Sequence, residues 1–126
     1  MDIKLKLNEV LNINQVLKAI IDDTTTKVEP LFKFRLLGIM KALEPSVQNF
    51  EIIRNEKIAE YGEQSEDGRV SISQDDTEAI KKFNNDLMSV IQSDVTINIE
   101  KLKASDIFDK GVKAEYLMGL FPIIEE

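Results

Sequence analysis

Between Glu63 and Ser71 the chain reads Glu-Gln-Ser-Glu-Asp-Gly-Arg-Val-Ser, with side-chain oxygens at positions 63, 65 and 67 and a glycine at 68. That spacing invites comparison with a calcium loop of the EF-hand kind. Such a loop needs oxygen ligands at its first, third, fifth and twelfth positions, glycine at the sixth and an apolar residue at the eighth. Gly68 and Val70 satisfy the sixth and eighth. Glu63 stands first where aspartate is usual, Gln74 at the twelfth cannot give a charged bidentate contact, and Asp75 lies one place late. A solvated acidic turn is the better reading, and neither a metal nor a cofactor is expected.

Two further groups could do chemistry. Asp75, Asp76 and Glu78 are close enough to supply a carboxylate pair for acid–base work. Such a pair needs one member desolvated, so that the two pKa values separate. Acids in the first turn of a helix instead gain from its dipole and stay ionised. Phe32-Lys33-Phe34-Arg35 could stack a base on its rings, with Lys33, Arg35, Lys41 and Arg54 meeting phosphate. Against this, Phe32 and Phe34 also begin an apolar helical stripe whose basic neighbours would face solvent.

Of the 126 residues none is histidine, cysteine or tryptophan. Ser-His-Asp and Cys-His nucleophile systems, zinc fingers and disulfides are therefore impossible. The five glycines are scattered and form no phosphate-cradling loop. No catalytic residue is assigned, and an enzyme is not expected.

The net charge of −7 argues against nucleic acid as a partner, because phosphate binding is driven by Lys and Arg. The location of that charge says more. Residues 1–58 hold nine bases against eight acids. Residues 60–78 hold Glu60, Glu63, Glu66, Asp67, Asp75, Asp76 and Glu78 against Arg69 alone. Most of the excess is one local patch. Its members Glu63, Glu66, Asp67, Asp75 and Asp76 are the candidate contacts to a protein partner.

The length suits one domain over 1–126. No stretch reaches the ~18 apolar residues that spanning a bilayer requires. The alternating start Met1-Asp2-Ile3-Lys4-Leu5-Lys6 is not a signal peptide. A cytosolic protein without membrane contact is expected.

The elements that must position these residues follow from hydrophobic period. Ile3, Leu5 and Leu7 alternate with Lys4, Lys6 and Asn8, which predicts a half-buried strand. Lys4 and Lys6 would face outward and guard its edge. Asn12 or Asn14 can cap a helix through Ile20 or Ile21, with Ile13, Val16, Leu17, Ile20 and Ile21 on one stripe. Asp22-Asp23-Thr24-Thr25-Thr26 ends it, and Pro30 suits the first turn of the next helix.

From Leu31 to Tyr61 the set Leu36, Leu37, Ile39, Met40, Leu43, Val47, Phe50, Ile53, Ile58 and Tyr61 recurs at spacings of three and four. Gly62 can supply a left-handed residue to end this spine. Pro45 removes one backbone bond, so a kink or break is expected near Glu44–Ser46. A small ribbon turning at Asp67-Gly68 follows, and then an S-x-x-D start at Ser73–Asp76. Ile80, Phe83, Leu87, Val90 and Ile91 mark a helix to about Gln92. Val95, Ile97 and Ile99 mark a second strand, the obvious partner of the first. The last segment has a capping-like Ser105-Asp106, a break at Gly111 and a short helix over 112–120. An apolar end, Phe121-Pro122-Ile123-Ile124, is either packed on the core or donated to a partner.

The lysine-alternating first strand, the helix end Ile58-Ala59-Glu60-Tyr61-Gly62-Glu63 and the acidic Glu66-Asp67-Gly68 turn come in a suggestive order. A Phe83-containing helix, the strand Val95–Ile99 and the Phe121–Glu126 terminus complete it. Together they resemble a family of small proteins of bacteriophages and prophages of Gram-positive bacteria, over nearly the whole chain. Pro45 and the Thr24–Thr26 run depart from the pattern. The resemblance implies a phage origin and a bacterial host cytosol. It implies no activity, cofactor or site residue.

An α+β fold is expected: a long bent helical spine and shorter helices packed with a small antiparallel sheet. The expected role is non-enzymatic binding of a protein partner, as a host-defence inhibitor or a virion-assembly factor, in a homo-oligomer. The alternative is a small-ligand binder that sequesters a nucleotide-like signal through Phe32, Lys33, Phe34, Arg35, Lys41 and Arg54.

Overall fold

The computed structural model describes residues 2–23, 27–108 and 114–125. The architecture is α+β, with a long helix, shorter helices and small sheets. The chain forms two compact units, 1–47 with 94–126 and 48–93.

In the first unit, strand β1 (Asp2–Lys6) pairs antiparallel with β4 (Asp94–Asn98), placing Ile3 opposite Ile97 and Leu5 opposite Val95. The period-two pattern puts Ile3, Leu5 and Ile97 on the buried face. Lys4 and Lys6 occupy the other face, where both reach Asp94 at 3.4 and 2.9 Å. These hydrogen bonds hold the Asp94 carboxyl below its ordinary value. The expected pairing is thus observed, and the two lysines form ion pairs across the ladder.

Helix α1 runs Leu7–Asp22, and its start corrects the expectation of a cap at Asn12 or Asn14. The strand passes directly into the helix at Lys6, whose N–H donates to Glu9 Oε1 at 2.9 Å. A carboxylate three residues into the helix here satisfies a first-turn donor, as in half of a capping box. Starting the helix earlier brings Leu7 and Val10 into the core beside Ile13, Leu17 and Ile20. Of the expected stripe, Val16 and Ile21 are half-buried. Thr24–Thr26 lie outside the described residues.

Helix α2 spans Pro30–Tyr61 without interruption. Pro30 takes the first position, and Lys33 N–H donates to the Glu29 carbonyl at 2.9 Å. Of the kink or break expected at Glu44–Ser46, the break is absent: the helix continues through Pro45. Pro45 lies on the exposed side, away from buried Phe32, Leu36, Ile39 and Leu43. Its ring displaces no core side chain there, and water can reach the Lys41 carbonyl that lost its partner.

The C-terminal segment closes the first unit through a pairing that periodicity did not reveal. Strand β5 (Leu102–Lys103) pairs parallel with β6 (Ile124–Glu125), Leu102 opposite Ile124. Between them lie α4 (Ala104–Phe108), a 3₁₀ turn (Ala114–Tyr116), α5 (Leu117–Leu120) and a second 3₁₀ turn (Phe121–Ile123). Ser105 lies within α4 and does not cap it. The expected break at Gly111 and the start of a helix at Val112 lie outside the described residues. Leu102, Ile107, Leu120 and Ile123 are fully buried, so the apolar end packs on its own core. Helix α5 sits on α1 so closely that a Cβ at Gly119 would overlap the Val16 Cγ2 methyl. Tyr116 is held by a 2.9 Å hydrogen bond from its hydroxyl to Asp23 Oδ2.

The second unit is built differently. It contains the later turns of α2, a hairpin of β2 (Glu63–Gln64) and β3 (Val70–Ser71), and helix α3 (Thr77–Ile91). Among its described residues, Leu87 is the single buried hydrophobic side chain. Phe50, Ile53, Ile58, Ile72, Ile80, Phe83, Val90 and Ile91 are only half-buried.

Candidate functional site

The acidic hairpin is set by turn chemistry. Ser65 N–H donates to the Arg69 carbonyl at 2.8 Å and Gly68 N–H to the Ser65 carbonyl at 3.0 Å. The three-residue loop needs a left-handed residue at its end, and Gly68 supplies it with φ +86°. Asp67 accepts from Arg69 N–H at 3.1 Å and from the Ser65 hydroxyl. These bonds, the Ser65 hydroxyl foremost, lower the Asp67 pKa. The Asp67 carboxylate is therefore occupied in shaping the turn. Among the described residues, no group of three or more acidic side chains is placed to hold a metal ion.

Gly62 has a different task from the one expected. Gly68 is the only glycine with positive φ among the described residues, so Gly62 does not end α2 in a left-handed conformation. Its N–H continues the helical pattern to the Ile58 carbonyl at 2.7 Å. A Cβ at 62 would collide with the Ile58 carbonyl oxygen and lie 2.9 Å from that of Ser71. Glycine lets the ribbon return against the helix end.

The start of α3 is also corrected. Its cap is Asp76, whose Oδ1 accepts from Ala79 N–H at 3.1 Å. Ser73 acts one turn earlier: its carbonyl accepts from Asp76 N–H at 3.1 Å and its hydroxyl from Asp75 N–H at 3.3 Å. Glu63, Glu66 and Asp75 are exposed. The five acidic candidates thus lie on one hairpin and the adjoining helix start. Asp67 and Asp76 shape the backbone, while Glu63, Glu66 and Asp75 are presented to solvent.

Beside them lies an open groove of about 440 Å³ within this unit, lined by Arg54, Ile58, Val70, Ser71, Ile72, Ile80, Phe83 and Asn84. The ribbon forms one wall, through Val70 to Ile72, and α3 another. Arg54 is the sole charged side chain among these residues. An apolar floor with one cation and an acidic ribbon can take an apolar anchor from a partner of opposite rim charge.

Sequence reasoning missed the clamp that ties α2 to α3. Tyr61 donates to Asp86 Oδ2 at 2.5 Å, Lys57 lies 3.5 Å from the same oxygen, and Lys57 also meets Glu60 at 2.8 Å. The Lys57 ammonium stands 5.9 Å from the centroid of the Tyr61 ring. The hydrogen bond from Tyr61 lowers the Asp86 pKa, and its counterpart raises that of Tyr61. One signal was legible: Lys57, Glu60 and Tyr61 share a helix face at spacings of three and four. Nothing local pointed to Asp86.

Of the residues of the alternative ligand site, Phe32, Lys33, Phe34, Arg35 and Lys41 in the first unit do not converge on one pocket. Phe32 is buried at 2% exposure, whereas Phe34, two residues on, is 73% exposed on the opposite side of α2. A two-residue step on a helix turns about 200°, so the two rings cannot form one stacking platform. Arg35 lines a shallow pocket with Gly38, Ile39, Asn98, Ile99 and Glu100. Lys41 lines a different groove, against α1, and Lys33 is half-buried. Arg54 belongs to the second unit. Among the described residues, no helix is long and apolar enough to cross a membrane. No protein family, curated protein or solved structure matches the chain.

Proposed function

We propose that this chain is a non-enzymatic, phage-type accessory protein that binds a protein partner. Within that reading it is a host-defence inhibitor or a virion-assembly factor, acts as a homo-oligomer and works in the host bacterium's cytosol. One observation carries the binding role: the 48–93 unit has an open apolar groove beside an acidic hairpin and buries Leu87 alone among its hydrophobic side chains. Apolar surface left half-covered on a small unit calls for a cover.

The partner is one with a basic surface around an apolar anchor. Glu63, Glu66 and Asp75 accelerate encounter by long-range attraction, and the groove over Ile58, Ile72, Ile80 and Phe83 supplies the short-range contact. Arg54 on the groove wall meets a carbonyl or carboxylate of the incoming chain. The resemblance to phage and prophage proteins supports the setting, and the negative net charge supports a protein over a nucleic acid.

The test compares capture of host proteins by the wild-type chain and by a Glu63→Gln/Glu66→Gln/Asp75→Asn variant. Proteins retained by the wild type should be weakened at least about tenfold by the variant, with less dependence on salt. Equal retention would remove the acidic ribbon from the account.

A further inference from the structure

The hydrogen-bond phase of the β2–β3 ribbon fixes which backbone groups look outward. Next to the turn, Ser65 N–H donates across the ribbon to the Arg69 carbonyl. In an antiparallel pair, bonded and non-bonded positions alternate. Glu63 and Ser71 are therefore the next bonded pair, with Gln64 and Val70 the non-bonded pair between. The N–H and C=O of Val70 accordingly point away from β2, and the alternation, carried on, gives Ile72 the same orientation. No third strand joins the ribbon, and among the described residues no backbone group bonds to Val70 or Ile72 on that side. Free edges are commonly blunted by lysine or proline. Residues 70–72 read Val-Ser-Ile.

That edge runs along the groove of the same unit. Val70, Ser71 and Ile72 all line it, although successive side chains of a strand point to opposite faces, so the backbone edge itself forms the wall. Val70 and Ile72 share the apolar face, which belongs with Ile58, Ile80 and Phe83. Ser71 shares the other face with its cross-strand partner Glu63. Exposed acids bracket the edge, Glu66 in the turn before it and Asp75 beyond Ile72. Arg69, the base of the ribbon, is paired with Asp67 at 3.5 Å.

We infer that the groove is filled by an extended segment of a partner, added as a third strand on the outer edge of β3, with apolar and basic residues alternating along it. The inference rests on the protein-binding reading above and names the form in which the partner arrives. An extended occupant meets both needs of the site. Its backbone bonds to the outward groups of Val70 and Ile72, and its period of two sends every second side chain over Ile58, Ile80 and Phe83. The intervening side chains emerge on the face of Ser71 and Glu63. Glu63 stands two strand spacings away, ~9–10 Å, about one screening length at physiological salt, so lysine or arginine is favoured there. A helical occupant could fill the groove but would leave the edge unbonded.

The probe is a synthetic Lys-Val-Lys-Val-Lys-Val-Lys peptide, titrated against the full chain by fluorescence anisotropy. It should bind with a dissociation constant below about 1 mM, and a Glu-Val counterpart should not bind in that range. Val70→Pro deletes the outward N–H and spares the ladder bonds of Ser71, a change that edge strands accept. With circular dichroism showing it folded, it should weaken binding at least about tenfold, whereas Val70→Thr keeps the N–H and should change it less than about threefold. N-methylation of the peptide tests the same bonds without touching the protein. Blocking one alternate set of N–H groups, on the valines or on the lysines, should cost at least about tenfold and blocking the other set little, because only alternate groups face β3. A peptide that fails to bind, or that is indifferent to Val70→Pro and to both methylations, would overturn strand addition. Host proteins still captured through the acidic ribbon would then leave the protein-binding role standing.

Discussion

Tyr61 and Asp86, twenty-five residues apart, share a 2.5 Å hydrogen bond that closes α2 onto α3 at the hairpin end of the 48–93 unit. It is a tertiary contact in a unit where Leu87 is the single buried hydrophobic side chain among the described residues. Lys57 reinforces it from the neighbouring helical position.

Its pH dependence has a definite sign. The Asp86 carboxyl is held below its ordinary value of 3.8, chiefly by the Tyr61 hydroxyl, so it binds its proton less readily folded than unfolded. The stability it contributes is therefore complete above the ordinary value and is lost as pH falls through the lowered one. Asp94 and Asp67 act in the same direction. Tyr61 and Tyr116 are raised by their bonds to Asp86 and Asp23, so their contribution is complete below about 10 and is lost in stronger alkali. Replacing Asp86 by Asn should lower the melting temperature at pH 7 and flatten its fall below the ordinary carboxyl value of 3.8, measured by thermal scans through the acid range. An unchanged acid slope would contradict the assignment.

Gly119 is a packing glycine. A Cβ added there would overlap the Val16 Cγ2 methyl, so Gly119→Ala should destabilise the fold by about 1–3 kcal/mol, as an overpacked core does. Combined with Val16→Ala, the cost should be less than additive, because the removed methyls make room for the new one. Urea unfolding of the three variants measures the coupling. Additive losses would mean that the two residues do not meet.

Asp76 and Ser73 can be told apart by a single pair of substitutions. Asp76→Ala removes the acceptor for Ala79 N–H and should cost about 1 kcal/mol. Ser73→Ala removes only a 3.3 Å contact to Asp75 N–H in an exposed turn and should cost a few tenths. The reverse order would restore Ser73 as the cap.

The two units should differ in local stability. Residues 1–47 supply buried side chains from β1, α1 and α2, whereas 48–93 rely on a half-buried seam and the Tyr61–Asp86 clamp. Amide hydrogens of α3 should exchange faster than those of α1, because opening α3 exposes less apolar surface. Equal protection in the two helices would show one cooperative unit.

What the sequence by itself determined were the features that depend on neighbours along the chain. Alternation marked β1 and β4, three-four spacing marked α1, α2 and α3, Pro30 marked a helix start and Asp67-Gly68 a turn. Each is fixed by local sterics or by one face needing burial, so a few consecutive residues carry it. The five acidic candidates were likewise brought to one hairpin and helix start, because they lie within one short stretch. Tertiary structure decided the rest. Pro45 could have ended α2 and does not, because the core takes the opposite side of the helix. Phe32 and Phe34 look alike in sequence, and packing sends one into the core and leaves the other in water. Leu102 and Ile124 form a parallel pair, and Asp86 receives Tyr61, across separations that no local pattern spans. Such contacts arise only when distant segments bury apolar surface together, and that depends on the whole chain at once.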